Sequence, residues 1–227
     1  MFKERTDYIF WTSYRRKMID ALLRKNLALF HGIVLDIGGR DRGRFQKPKN
    51  QVERWIFADI NPTHHPDLLL DVANMHAVQT KSIDVISACE LFEHVKRVDA
   101  GLRECHRVLK PSGLLIITVP FLYPIHADPY DYQRWTEDKW RETLEEIGFS
   151  IETCIVMGRF FTVVADELKM LIRSFSKPIR WILAPLIPCF SLLVWLDYSS
   201  FVAHRPRLKN YHGGYFILAR KIPSYET

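Results

Sequence analysis

Two rhythms of apolar residues alternate along the chain. Short unbroken apolar runs read as strands buried on both faces, and longer segments with apolar residues every three or four positions read as helices. The first run, IVLDI at 33–37, stops at Gly38-Gly39 within the stretch 33–43. Others follow at 54–59 (RWIFAD), 68–72 (LLLDV), 82–88 (SIDVISA), 114–119 (LLIITV), 151–156 (IETCIV) and 214–220 (GYFILAR). Helical spacing appears over 8–30, 90–108 and 136–147. The last of these opens on Thr136, with Glu137 and Asp138 in its first turn, and closes on Gly148. Strands that alternate with helices predict an α/β fold: a seven-stranded, doubly wound, mostly parallel sheet. About a dozen residues, broken by Pro48, link Gly39 to the second run, so any helix there is confined to 42–47.

Composition adjusts this picture only slightly. The 227 residues are 48% hydrophobic, enough for one sizeable core with an appended part, and the net charge is +6. The positive charge is local: Arg15 to Lys17, then Arg40, Arg42, Arg44, Lys47 and Lys49, then His204 to Lys209. Each cluster taken alone reads as a solvated basic face, although such patches also suit phosphates and anionic lipid. Cys89, Cys105, Cys154 and Cys189 form no CxxC pair and read as buried thiols of a reducing compartment. Charged residues crowd the start, so no signal peptide is expected and the cytoplasmic side is. His64 and His65 find no further ligands at useful spacing; they read as an exposed loop pair, and no metal is expected.

Acids at strand ends supply the candidate chemistry. Asp36, beside two glycines that let a ligand approach the backbone, can accept from ammonium or hydroxyl groups. Asp59, ending the second run, is positioned to accept both ribose hydroxyls of a nucleoside.

Further motifs complete a pattern. In order they are VLDIGG at 34–39, FADI at 57–60, LDVANMHAV at 70–78, IDVISACELFEHV at 83–95 and LRECHRVLKPSGLLIITVP at 102–120. Together they resemble the class I S-adenosylmethionine-dependent methyltransferases of the small-molecule, type 11 kind. HADPYDYQRWT at 126–136 further resembles members associated with cell-surface glycan biosynthesis, which also have a short first crossover. The resemblance implies S-adenosyl-L-methionine as cofactor. Asp36, Gly38 and Gly39 would hold its methionine part, Asp59 its ribose, Asp71 with Val72 its adenine, and Cys89 and Glu90 would lie beside the methyl group. The family pattern usually has Gly where Arg40 stands.

Transfer to a hydroxyl needs its proton removed, and histidine is the commonest base. His126, after the fifth strand, is the first candidate and His94 the second; Tyr130, Asp131, Arg134 and Trp135 could shape an acceptor pocket. Residues 181–196 (WILAPLIPCFSLLVWL) carry no charge, are shorter than a membrane span, and contain Pro185 and Pro188, which should break a helix. Lys169, Arg173, Lys177 and Arg180 precede them, and Trp181 and Trp195 lie near the ends, a composition suited to a membrane interface, a dimer contact or an internal subdomain. The expected organisation is an N-terminal helical segment (1–31), a cofactor-binding core (32–158), a hydrophobic helical insertion (159–212) and the last strand with a tail (213–227). The expected reaction is methyl transfer to a small or lipid-linked acceptor such as a sugar hydroxyl, with the protein peripheral on the inner membrane face. A lipophilic quinone precursor as acceptor, a non-catalytic cofactor-binding scaffold and a homodimer stay open. Nucleic acid is disfavoured, since Ala88-Cys89-Glu90-Leu91 differs from the Asn/Asp-Pro-Pro-aromatic turn of amino-methylating enzymes.

Overall fold

The computed structural model describes residues 2–39, 45–48, 50–127 and 129–223, with side chains from Asp7 onward. The strands are β1 (Gly32–Ile37), β2 (Val52–Asp59), β3 (Leu68–Leu69), β4 (Ile83–Cys89), β5 (Leu109–Pro120), β6 (Phe149–Val156) and β7 (Gly214–Lys221). They form one sheet in the order β3-β2-β1-β4-β5-β7-β6. β1 to β5 pair in parallel, and β7 runs antiparallel between β5 and β6. The strand order reverses between β1 and β4, which opens a crevice at their carboxyl ends, where ligands bind in open α/β sheets.

Period-two alternation assigns each strand residue to a face. Leu35, Ile37, Leu115, Ile117, Tyr215 and Ile217 pack against α3 (Val98–Val108) and α4 (Glu137–Ile147). Val34, Val85, Leu114, Ile116, Phe216 and Leu218 face the other way, onto α2 (Tyr14–Lys25), which follows α1 (Phe2–Trp11). No crossover helix covers that second face among the described residues between β1 and β2. The predicted 42–47 helix lies partly outside them, and residues 45–48 are irregular. Phe30, Phe45 and Trp55 fill the space instead, their ring centroids 5.4–6.2 Å apart.

Three predicted boundaries shift for local reasons. The 8–30 segment is two helices, because Ser13 caps the second by accepting from the Arg16 amide at 3.1 Å. The 90–108 helix starts only at Val98: Glu90 takes a left-handed φ of 55°, and a 3₁₀ turn occupies Phe92–His94. The strand expected at 114–119 begins already at Leu109 through a bulged entry, with Ile83 opposite Leu109 and Val85 already opposite Leu114.

Between β6 and β7 the chain inserts α5 (Phe160–Ser174), α6 (Lys177–Leu183), α7 (Ile187–Leu196), α8 (Ser200–Ala203) and α9 (Pro206–Lys209). Pro185 and Pro188 do not break the apolar segment. Each sits in a first turn, where no amide donor is missed, and a 3₁₀ turn at Ala184–Leu186 joins α6 to α7. Lys177–Leu196 is therefore one helical run of 20 residues holding an 18-residue window of mean hydropathy 1.9, by length and composition enough to cross a membrane. Only 11% of it is buried, so it is not internal core. Carboxylates tie the insertion down. Asp197 accepts from the amides of Arg159, Phe161 and Thr162 at 2.8–2.9 Å, capping α5. Asp166 of α5 accepts from the Tyr14 and Arg15 amides at 2.6 and 3.0 Å, capping α2.

Candidate active site

The predicted cofactor residues gather at the carboxyl ends of β1, β2 and β4. Gly38 takes φ 69° and donates its amide to the Ala58 carbonyl, 2.8 Å. The Asp36 carboxylate lies directly beneath Gly39, where a Cβ would come within 2.0 Å of Oδ1. Asp36 is buried and accepts from the Trp55 indole at 3.1 Å, with Lys47 Nζ 4.0 Å away. It therefore shapes the glycine turn from below. Asp59 accepts from the Asn61 amide on Oδ1 (2.8 Å) and from His64 Nδ1 on Oδ2 (2.9 Å), which leaves each oxygen a further lone pair. His64 is thus half-buried and orients Asp59, a correction to its reading as an exposed loop residue; His65 is exposed. Asp71, one residue past the Leu70 amide that donates to the Asp59 carbonyl, is exposed and accepts from the Ala73 amide. The Val72 side chain belongs to the core, so only its backbone can meet a ligand.

Past β4, burial and the Asp36 charge push the Cys89 thiol up to about 12, so it stays protonated. Of the four thiols expected to be buried, Cys105 is buried, Cys89 and Cys154 are half-buried, and Cys189 is exposed within the apolar run. Glu90 donates its amide to the Thr118 carbonyl (2.8 Å), accepts from Thr118 Oγ1 (3.1 Å) and pairs with Arg15 at 2.5 Å. Burial disfavours its charge, but the Arg15 guanidinium outweighs that and holds the carboxyl below its ordinary range. Arg15 is 4% exposed, which corrects its assignment to a solvated cluster, and its Nε and Nη1 have no hydrogen-bond partner. The signal was present in the sequence: Arg15 precedes Ile19 by four residues and so shares its buried face.

The loop after β5 is laced onto the β4–α3 connection. The Tyr132 amide donates to the Glu93 carbonyl (2.8 Å), and Gln133 Nε2 donates to the Val95 carbonyl (2.5 Å). This brings the His94 and His126 rings to 5.0 Å, edge to face. Tyr123 contacts His126 (5.3 Å) and lies under the Arg15 guanidinium (4.6 Å), linking the loop to the cofactor end. Glu93, which lies within the 83–95 motif but takes no role from sequence alone, points between the two histidines: Oε1 is 3.7 Å from His94 Nε2 and 3.9 Å from His126 Nε2. Burial, then the neighbouring Glu90 charge, raise the Glu93 carboxyl well above its ordinary range.

The four expected acceptor-pocket residues divide differently. Asp131 is bound by the Arg134 guanidinium (Nη2 to Oδ2, 2.6 Å), which holds its carboxyl at about 2, and it accepts from the His126 amide at 3.0 Å. Trp135 packs against Trp140 at a tilt, centroids 4.7 Å apart and planes 47° to each other. These three brace the loop. Tyr130 is exposed, and its carbonyl accepts from His94 Nδ1 at 2.6 Å.

Residues 45–117 match the family model described as a methyltransferase domain. No curated protein matches the chain at the sequence level. Solved structures with this fold include the [4+2]-cyclase SpnF (19% identity, 91% of this chain and 81% of that chain, TM-score 0.59). They also include a SAM-dependent methyltransferase from Archaeoglobus fulgidus (17%, 97% and 100%, TM-score 0.55). A third is phosphoethanolamine N-methyltransferase 2 of Haemonchus contortus in complex with S-adenosyl-L-methionine (16%, 88% and 53%, TM-score 0.55). The seven-stranded sheet is thus the class I methyltransferase fold.

Proposed function

We propose, for a chain with the class I methyltransferase fold, that it transfers a methyl group from S-adenosyl-L-methionine to a hydroxyl of a small or lipid-linked acceptor, a sugar among the candidates. The observation that carries the cofactor reading is the row of Gly38-Gly39, Asp59 and Glu90–Arg15 at the ends of adjacent strands. The residues fit that cofactor. Gly38 and Gly39 present bare backbone, Asp59 offers one free lone pair per oxygen to two vicinal hydroxyls, and the unpartnered Arg15 nitrogens suit a carboxylate. When bound, the cofactor supplies an already activated methyl sulfonium. The chain's own work is alignment of the acceptor, exclusion of water and proton removal. His94, in the turn after β4, and His126, in the loop after β5, are the groups to accept that proton.

Lipid linkage is supported by the run Lys177–Leu196, which exposes Ile182, Leu192 and Trp195 beside the cationic Arg173 and Lys177. Lys169, counted with those cations from sequence, is buried and takes no part. The same surface would serve a lipophilic ring, and it suits a location on the inner membrane face.

Calorimetry with S-adenosylhomocysteine tests the reading. Wild type should bind, and Asp59→Ala should weaken binding by about 1–3 kcal/mol, roughly ten- to a hundredfold. A wild type that binds neither cofactor nor product overturns it.

A further inference from the structure

We propose that Glu93, His94 and His126 form a binding site for one divalent transition-metal ion, at the mouth of the acceptor loop. Among the described residues, these three bring their ligand atoms within 4.8 Å of one another. The two carboxylate-to-imidazole separations, 3.7 and 3.9 Å, lie within about half an ångström of the edge of a tetrahedron with bonds of about 2.1 Å. A small side-chain movement closes the set, and His126 stands on a loop that can supply it.

Three independent features point to a cation rather than to incidental proximity. Glu93 is 2% exposed, and neither of its carboxylate oxygens has a hydrogen-bond partner. A buried carboxylate without donors is costly, and a metal ion removes that cost. The two cations whose charge reaches it are engaged elsewhere, Arg15 by Glu90 at 2.5 Å and Arg134 by Asp131 at 2.6 Å. Second, both imidazoles are oriented for ligation. His94 Nδ1 must carry its hydrogen to donate to the Tyr130 carbonyl at 2.6 Å, which leaves the Nε2 lone pair bare toward Glu93. His126 Nδ1 likewise faces the Pro124 carbonyl at 3.2 Å and Asp131 Oδ2 at 3.4 Å, again leaving Nε2 toward Glu93. Third, Asp131 is itself fixed by Arg134. Carbonyl or carboxylate, imidazole and metal in series is the usual support for a histidine ligand.

Two imidazoles with one carboxylate suit zinc, iron or cobalt rather than magnesium or calcium. Three protein ligands leave open positions, and an acceptor hydroxyl entering one would be more readily deprotonated. His126 would then act through the ion rather than as the base. That consequence rests on the methyltransferase reading; the metal site does not.

The test uses the full chain, stripped with a chelator, then titrated with Co2+ and Zn2+ by calorimetry and by the visible spectrum of bound Co2+. Wild type should bind one ion per chain, with a visible band. Glu93→Gln and His126→Ala should each weaken binding at least tenfold and lose the band. Glu93→Gln keeps the side chain's shape and exchanges the carboxylate for a poorer amide ligand; its melting transition controls for loss of folding. No binding by wild type, or binding untouched by both substitutions, overturns the proposal. S-adenosylhomocysteine titrated into the metal-free wild type reports separately on the methyltransferase reading, so either can fail alone.

Discussion

Asp36 and Gly39 illustrate how little room the glycine turn after β1 has at the residue level. A methyl group on residue 39 would overlap the carboxylate below it, which burial and the Trp55 indole hold in place. Gly39→Ala should therefore cost about 1–3 kcal/mol of stability in urea unfolding and weaken S-adenosylhomocysteine by more than tenfold. Unchanged stability would mean that the carboxylate swings aside freely. Asp36, the glycines and Asp59 were legible in sequence because an acid or a glycine closing an apolar run is a local signal. Glu93 was not legible. Nothing in Phe92-Glu93-His94 distinguishes an exposed helical acid from a buried one, and His126 meets it only through a tertiary contact between two loops.

The helices were legible in their apolar faces but not in where they start and break. Apolar spacing runs smoothly through 8–30 and 90–108, whereas the breaks depend on Ser13, Asp166 and the positive φ of Glu90. The α2–α5 contact also buries Lys169, whose Nζ donates to the Thr12 carbonyl and lies 4.5 Å from the Tyr14 ring. Burial, then the charges of Lys17 and Arg173, bring its ammonium down from 10.5 to about 8, against the opposing pull of Asp166. Between those values the unfolded chain binds the proton more tightly, so this contact should strengthen as pH rises from 8 towards 10.5. The gain is at most about 3 kcal/mol. Urea unfolding at about pH 7.5 and about pH 9.5 should show the rise in wild type and a flatter response in Lys169→Met. Parallel slopes in the two proteins would show that Lys169 keeps an ordinary affinity for its proton.

Over the whole molecule, the seven-stranded, mostly parallel sheet and the helical insertion before its last strand followed from the alternation of runs and helices, while the continuity of Lys177–Leu196 did not. A tally of charges and prolines gave the right composition for Lys177–Leu196 but could not foresee that the prolines fall in first turns. The outcome is an apolar rod on the outside of the protein. Replacing Ile182, Leu192 and Trp195 (75%, 69% and 69% exposed) with Ser should abolish flotation with anionic liposomes. At about 1.5–3 kcal/mol per buried side chain, the loss should exceed a hundredfold in partition. Cofactor binding should persist. A wild type that remains unbound as a monomer would refute lipid contact, and one that remains unbound as a dimer would identify a subunit interface.

The Asp166 cap carries a consequence for how the protein is made. It joins residues 152 apart, so the Tyr14 amide has to wait for its acceptor until most of the chain has been synthesised. At about 5–20 residues per second that delay is roughly 8–30 s. The strands from β1 to β6 leave the ribosome during it, before the cap exists. The cap on the helix written second in the gene is therefore completed only after those strands have been made, and it holds the residue next to it, Arg15, whose guanidinium pairs with Glu90.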